Sequence, residues 1–188
     1  MNLFKRAVAA TAPSGGKLWS SEKEFDERWK RRISTMAGFI DAPGPVADLG
    51  CGMMWLEQFL RVGNAYVPVD YVRRDDRTRV IDFNTEKLPD LGAKVAFLSG
   101  SLEYVREAVE FLKILTGMEF EQIILSYCTT EKFHDMKIRR RALKWTSHLS
   151  IYQILTAFTG QYDLTGFVEM ESNDTIFAFR RKHEGLHS

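Results

Sequence analysis

The stretch VADLGCGMMWLE, residues 46–57, indicates the fold more clearly than any other part of the sequence. A short apolar segment that contains Asp48 runs into Gly50, Cys51 and Gly52, and a segment of helical character follows. Glycine lets the backbone turn sharply and lets a ligand approach without a Cβ in the way. The start of a helix offers free N–H groups and partial positive charge to an anionic group. The stretch therefore predicts a ligand-binding corner between a buried strand and a helix.

Composition places the chain among ordinary globular proteins. It has 188 residues, of which 45% are apolar and 27% charged, and its net charge is +1. Cys51 and Cys128 form neither a metal-binding spacing nor a disulfide framework, so we expect no metal and a reducing, cytoplasmic location. No apolar run approaches the roughly 20 residues that span a bilayer, so we expect no membrane span.

The chain is predicted to form one domain behind a short arm. Residues 1–20 are expected to be a flexible N-terminal arm, and residues 21–188 a single domain. Helices are predicted at 21–40, 53–62, 101–115 and 150–160, the first and last of which begin with capping boxes. The polar, basic segment 128–149 is expected to cover the substrate side of the domain.

Short apolar strands alternate with these helices. They are predicted at 46–50, 65–72, 78–84, 94–100 and 120–127, and a terminal β-hairpin at 164–181. This alternation predicts an α/β protein with a mainly parallel sheet and helices on both faces. Ligands of such sheets bind beyond the carboxyl ends of the strands.

An acidic residue next to the glycine corner indicates the kind of ligand. Asp70, eighteen residues after Gly52, ends the neighbouring strand, where a carboxylate can accept hydrogen bonds from both hydroxyls of a ribose. The third glycine of a dinucleotide fingerprint is replaced by Trp55, which disfavours NAD and FAD, and no P-loop string is present. These residues predict a ribose-bearing ligand of another kind.

The ordered series of segments resembles the class I S-adenosylmethionine-dependent methyltransferases. VADLGCG is similar to the glycine-rich first motif, VPVDYV to the acidic second strand, VIDFNTEKLP to the segment beside the adenine, and AFLSGSLEYV and QIILSY to strands four and five. The resemblance covers residues 44–182, although Met54 stands where the family often has a third glycine. It implies a three-layer Rossmann-like fold with strand order 3-2-1-4-5-7-6, strand seven antiparallel, and a cofactor, S-adenosyl-L-methionine, that leaves as S-adenosyl-L-homocysteine.

The resemblance also implies which residues hold the cofactor. The glycine corner with Asp48 and Cys51 should meet the methionine half, Asp70 the ribose, and Ser99 and Gly100 the space under the sulfonium. The adenine should lie beside three further residues, which are Tyr71, Asp82 and Phe83.

The acceptor side is predicted from residues after strand five. His148 lies just before a helix N-cap and is the candidate general base. The basic run KIRRRALK, residues 137–144, is typical of a solvated surface, but next to a methyltransferase cleft it favours an anionic acceptor. The candidate substrate-binding residues are Tyr127, His134, Arg140, Arg141, Lys144 and Trp145.

We therefore expect methyl transfer to a hydroxyl of a small polar, anionic molecule, such as a sugar or glycan precursor. Strand four lacks the [DNS]-P-P-[YF] string used on base amines, which makes nucleic acid a less favoured partner. Two alternatives stay open, an RNA methyltransferase and a non-catalytic, cofactor-binding partner subunit with the same fold. The sequence leaves the oligomeric state open.

Overall fold

The structure, a computed structural model, describes residues 19–182, so most of the predicted arm lies outside the described part. Seven strands form one sheet in the order β3-β2-β1-β4-β5-β7-β6. They are β1 Val46–Leu49, β2 Tyr66–Asp70, β3 Arg79–Val80, β4 Val95–Ser99, β5 Gln122–Tyr127, β6 Tyr162–Glu169 and β7 Thr175–Arg181. The α-helices are α1 Trp29–Ala37, α2 Ala108–Gly117 and α3 Ile151–Phe158.

The topology is the one predicted. Strands β1 to β5 pair in parallel, and β7 is antiparallel to both β5 and β6. The register sets Ser99 of β4 opposite Ser126 of β5, and Tyr127 opposite Thr175 of β7. The carboxyl ends of β4 and β5 and the amino end of β7 therefore meet at one edge of the sheet.

Each face of the sheet is covered by helical segments. Val95 and Phe97 of β4 pack toward α1, while Ala96 and Leu98 pack toward α2 and α3. All four side chains are fully buried. A strand that is buried on both faces must be apolar along its whole length, which explains the VAFL run.

The helix predicted at 101–115 is divided into two pieces. A 3₁₀ turn spans Leu102–Tyr104, and α2 begins only at Ala108. The carbonyl oxygen of Glu103 accepts hydrogen bonds from the backbone N–H groups of Thr146 and Ser147, at 2.8 and 3.1 Å. Because this carbonyl is used by another segment, it cannot join an α-helical ladder. Val109 of α2 is exposed.

Two other elements are shorter than predicted. The segment 53–62 forms only a 3₁₀ turn, Trp55–Phe59, preceded by Met54 in the left-handed region at φ +57°. The segment 21–40 forms a capped 3₁₀ turn, Glu22–Glu24, and then α1. Between these two pieces Phe25 is extended, and its ring lies against Gly52. Contacts between distant segments have thus replaced helical hydrogen bonds.

The capping box that opens α3 is present as predicted. The Ser150 hydroxyl accepts from the N–H of Gln153, and the Gln153 side chain accepts from the N–H of Ser150. The predicted hairpin is also confirmed as β6 and β7. None of the helices within residues 19–182 is long and apolar enough to cross a membrane.

Candidate functional site

The corner after β1 needs glycine at two positions. Gly50 has a φ of +87° and Gly52 a φ of +50°, both in the region that larger residues avoid. A Cβ on Gly50 would lie 2.5 Å from Cβ of Ser101, and a Cβ on Gly52 would lie 2.6 Å from Cε1 of Phe25. The backbone conformation and the close neighbours therefore both exclude side chains here.

Asp70, at the carboxyl end of β2, lies beside this corner and is buried. Its Oδ2 accepts a hydrogen bond from the backbone N–H of Gly52 at 2.9 Å, and its Oδ1 accepts from the N–H of Val72 at 3.0 Å. The guanidinium of Arg74 lies on the same carboxylate, with Nε 3.3 Å from Oδ2. The predicted ribose acceptor and the glycine corner are thus in direct contact.

An aromatic cover closes the corner from above. The cover consists of Trp19, Phe25 and Trp29, whose rings meet one another at centroid distances of 5.5 to 6.0 Å. Arg74 Nη2 donates to the carbonyl oxygen of Trp19 at 2.7 Å, and its guanidinium lies 5.2 Å from the centroid of the Phe25 ring. Sequence reasoning missed this arrangement because nothing in the local sequence joins Trp19 and Phe25 to residues 52 and 74.

Asp48 lies under the corner and is almost completely buried. Its Oδ2 accepts from the Tyr66 hydroxyl at 2.8 Å. Burial raises the pKa of Asp48 to about 7, the Tyr66 hydrogen bond opposes this, and the nearby Asp70 adds to it. Burial also raises the pKa of the Cys51 thiol, which keeps it protonated and poorly nucleophilic.

The three residues predicted to meet the adenine lie in different surroundings. Phe83 packs on Phe111 of α2, with ring centroids 5.0 Å apart, and so contributes to the core. Asp82 accepts from the backbone N–H of Asn84 at 2.9 Å and is partly exposed. Tyr71 is partly buried next to Asp70, and burial raises its pKa to about 12. Asp82 and Tyr71 therefore remain accessible to a ligand, whereas the ring of Phe83 is used in packing.

Ser99 and Gly100, at the end of β4, contact an arginine that the sequence did not single out. Arg32 of α1 donates from Nε to the Ser99 hydroxyl at 3.1 Å and from Nη1 to Asp174 at 2.9 Å. Gly100 has a φ of +69°, and a Cβ there would lie 2.6 Å from Nη2 of Arg32. A cation whose side chain is 12% exposed thus lies at the place where the resemblance puts the sulfonium end of the cofactor.

The basic run after β5 is divided between the interior and the surface. Arg139 is fully buried, with Nη1 donating to the carbonyl oxygens of Phe133 and Thr129 at 2.9 and 3.2 Å. Its guanidinium lies 4.8 Å from the Trp145 ring centroid. The other four cations of the run are exposed and form no ion pair with another described residue; they are Lys137, Arg140, Arg141 and Lys144.

His148, the candidate base, lies between two arginines. Its Nδ1 is 3.3 Å from Nε of Arg139, and its Nε2 is 3.2 Å from Nε of Arg140. Burial, followed by the charges of Arg139 and Arg140, lowers the pKa of His148 below its usual 6.5. The imidazole is therefore neutral near pH 7, but protonating it would place a third positive charge in this group.

The remaining acceptor-side candidates do not form one cluster. The Tyr127 hydroxyl is buried, lies 3.0 Å from the Ser147 hydroxyl and accepts from the N–H of Leu149 at 2.9 Å. Trp145 donates from Nε1 to the Tyr104 hydroxyl at 3.2 Å. His134 is exposed. Tyr127 and Trp145 thus support the segment after β5 and hold it against the turn that follows β4.

Known proteins are similar to this chain in structure but not in sequence. No family model matches the sequence, and no curated protein matches it at a significant level. A candidate methyltransferase in complex with the Trm112 activator from Haloferax volcanii superposes with a TM-score of 0.67 at 11% identity, over 86% of this chain and 94% of that one.

Two further solved structures are similar. The N-methyltransferase NodS from Bradyrhizobium japonicum WM9, in complex with S-adenosyl-L-homocysteine, gives a TM-score of 0.60 at 11% identity, over 95% of this chain and 96% of that one. The N-terminal domain of EvdMO1, in the presence of S-adenosyl-L-homocysteine and D-fucose, gives 0.53 at 14% identity, over 84% of each chain. The strand order, the antiparallel seventh strand and these superpositions lead to one conclusion. The chain has the Rossmann-like fold of the class I S-adenosylmethionine-dependent methyltransferases.

Proposed function

We propose that this chain binds S-adenosyl-L-methionine at the glycine corner and transfers its methyl group to a hydroxyl of a small polar, anionic acceptor. The observation that carries the proposal is the contact between Gly52 and Asp70, in which the N–H of the corner donates to the carboxylate at the end of β2. This contact sets a side-chain-free backbone next to an acceptor for ribose hydroxyls. When bound, the cofactor supplies a methyl group on a positively charged sulfur.

The residues present fit such a cofactor in kind. Asp70 already accepts hydrogen bonds from the N–H groups of Arg74, and ribose hydroxyls are donors that can take the same lone pairs. The Phe25 ring fills the space over Gly52. Binding therefore requires that Arg74 and Phe25 withdraw from the corner, which predicts a slow or weakened association.

Calorimetric titration with S-adenosyl-L-methionine and S-adenosyl-L-homocysteine tests cofactor binding. Asp70→Ala should weaken binding by roughly 1.5–3 kcal/mol, the range for a hydrogen bond to a charged group. Asp76→Ala is the matched control, because Asp76 is an exposed carboxylate in the same connection. Equal affinities in the two variants would refute the assignment of Asp70 to the ribose.

The anionic acceptor is supported by the exposed part of the basic run. Lys137, Arg140 and Arg141 line a shallow depression together with Met136. Exposed cations without carboxylate partners attract anions, and salt screens that attraction. A sugar derivative is consistent with the similar EvdMO1 domain, whose structure was determined in the presence of D-fucose.

Transfer assays with radiolabelled methyl donor test the acceptor class. Nucleotide-sugars, small phenols and total RNA are the probes, and charge reversal at Arg140 and Arg141 should raise KM for an anionic acceptor, as should added salt. Labelling of RNA alone would contradict the small-molecule proposal. It would favour the RNA methyltransferase alternative, which the exposed basic run also supports.

One observation favours a second function, that of a non-catalytic partner subunit. Arg74 and Phe25 occupy the corner from within the chain. The similar Haloferax protein was solved as a complex with a methyltransferase activator, so this fold also takes part in assemblies. Tight cofactor binding without methyl transfer to any of these probes would favour this alternative.

A further inference from the structure

Glu103 is a buried carboxylate that none of the roles above uses. It lies in the 3₁₀ turn that follows β4, and only 2% of it is exposed. Its Oε1 accepts from the backbone N–H of Cys128, the residue after β5, at 3.0 Å. Glu103 therefore bridges the carboxyl ends of β4 and β5.

The second oxygen of this carboxylate is unsatisfied. Oε2 of Glu103 is buried and has no hydrogen-bond partner within residues 19–182. Three hydroxyls at the same edge of the sheet share this condition; they belong to Ser126, Thr129 and Thr175. Leaving a buried polar atom unpaired costs about 1–3 kcal/mol, and more for a charged one. A buried carboxylate oxygen without a partner can accept a hydrogen bond from a hydroxyl donor.

The turn that carries Glu103 is attached to the glycine corner. The Ser101 hydroxyl donates to the carbonyl oxygen of Leu49 at 2.7 Å, and the Ser101 side chain fills the space beside Gly50. Strand β4 is the neighbour of β1, so the residues after β4 lie next to those after β1. Glu103 is thus two residues from a side chain that borders the proposed cofactor site.

The charges around Glu103 suit a group that exchanges a proton near neutral pH. Burial raises the pKa of Glu103 to about 7; the Cys128 N–H and Arg32 lower it, and Asp174 raises it further. Tyr127 and Cys128, on which the charge of Glu103 acts, have pKa values raised to about 12, and that of Tyr104 is also raised. Arg32 and Arg139 supply the cations on this side of the sheet.

We propose that Glu103 receives the proton of the hydroxyl that is methylated, a role that rests on the methyltransferase function proposed above. The acceptor hydroxyl donates to Oε2 of Glu103. As the new oxygen–carbon bond forms, the carbon–sulfur bond breaks with its electron pair remaining on sulfur, and the O–H proton passes to Oε2. The acceptor class is therefore a neutral hydroxyl within a molecule whose anionic part reaches the exposed cations at 137–144.

Glu103 is better suited to this step than His148. The two ring nitrogens of His148 face Arg139 and Arg140, so added positive charge on that ring is opposed. A proton on Glu103 instead removes a buried negative charge. The two candidates differ in charge type, which an experiment can separate.

The test uses the charge on the cofactor sulfur and needs no acceptor. S-adenosyl-L-methionine carries a positive sulfonium, whereas the thioether of S-adenosyl-L-homocysteine is neutral. If the ionised Glu103 faces the sulfur, the preference for the sulfonium ligand should grow roughly tenfold between about pH 6 and about pH 8. Calorimetric dissociation constants for both ligands across this range give the preference as a ratio.

Glu103→Gln should make most of this pH dependence disappear. Glutamine has a carbonyl oxygen that can accept from the N–H of Cys128, as Oε1 of Glu103 does, but it cannot ionise. Asp48→Asn is the second variant, because burial raises the pKa of Asp48 to about 7 as well. It removes the other carboxylate that titrates in this pH range. The pH dependence that remains should be the part due to Glu103. Asp48→Asn still tests the role of Glu103 if Glu103→Gln does not fold.

The outcomes separate this inference from the proposed function. If both ligands bind and Glu103→Gln has the same pH dependence as the wild type, Glu103 does not face the sulfur and the inference is wrong. Loss of all pH dependence in Asp48→Asn would overturn it in the same way. If neither ligand binds the folded wild-type protein, the proposed function fails first, and this inference fails with it.

Discussion

The guanidinium of Arg74 forms an ion pair with the carboxylate of Asp70, with Nε 3.3 Å from Oδ2. Its Nη2 donates to the carbonyl oxygen of Trp19 at 2.7 Å. Both side chains of the pair are more than nine-tenths buried. The proposed ribose acceptor is thus paired within the chain, and the same arginine holds the aromatic cover over the glycine corner. We therefore expect cofactor binding to be coupled to the release of this arginine.

Arg74→Ala should strengthen the binding of S-adenosyl-L-homocysteine, because it removes an internal competitor for Asp70. A competitor that lowers the binding-competent fraction weakens apparent affinity by that fraction, so we expect a gain of about tenfold, which is ~1.4 kcal/mol. The free energy of unfolding should decrease at the same time, since Asp70 loses its buried partner. Calorimetry and chemical denaturation measure the two effects.

Arg73→Ala is the control for this change, because Arg73 is an exposed arginine at the preceding position. It should alter neither quantity by more than a few tenths of a kcal/mol. A loss of affinity in Arg74→Ala would mean that Arg74 holds the ligand and does not compete with it.

Gly52→Ala should destabilise the protein by about 2–4 kcal/mol, the sum of a left-handed backbone and a steric overlap with Phe25. Phe25→Ala should recover the steric part in the double variant, which chemical denaturation of all four proteins can detect. Gly92→Ala isolates the backbone part, since Gly92 has a φ of +61°, close to the +50° of Gly52, and open space at its Cβ position. Strictly additive effects of the changes at 25 and 52 would contradict the contact.

The stability of the protein should fall as pH rises toward neutrality. The pKa of Asp48 goes from 3.8 to about 7 on folding, and that of Glu103 from 4.5 to about 7. Between these limits the folded state holds more protons than the unfolded state, so both groups favour folding at low pH and lose that contribution as pH rises through 7. Thermal denaturation of the wild type, Asp48→Asn and Glu103→Gln measures the slope, which each variant should reduce. A slope that neither variant changes would show that other groups cause it.

His148 should remain neutral in the folded protein below its usual pKa of 6.5. In the unfolded chain His148 is protonated below pH 6.5, so the free energy of unfolding decreases as pH falls below that value. This pH dependence has the opposite sign to that of the two buried carboxylates. NMR titration of the imidazole gives its pKa directly, and Arg140→Met should raise that value by removing one of the two facing cations. A pKa above 6.5 in the wild type would mean that neither burial nor the two arginines determine the charge of this ring.

The sheet and the position of the glycine corner could be predicted from the sequence. The apolar segments, the glycines at 50 and 52 and the acidic end of β2 are local signals of a parallel α/β fold. The strand order was predicted from the resemblance to the class I methyltransferases. A turn that needs positive φ is encoded by glycine itself, so Gly50 and Gly52 could be predicted from neighbours within a few positions.

The tertiary structure alone decided what lies around that corner. Arg32 and Asp174 are 142 positions apart, and Arg74 meets Trp19 across 55 positions, so no local pattern could pair them. The same holds for Glu103, which sequence periodicity assigned to an ordinary helix. Its role depends on whether each carboxylate oxygen finds a donor, and hydrogen bonds in a low-dielectric interior are set by the packing of distant segments. Local sequence specifies backbone conformation, but only the assembled fold specifies burial, and burial raises the pKa of Glu103.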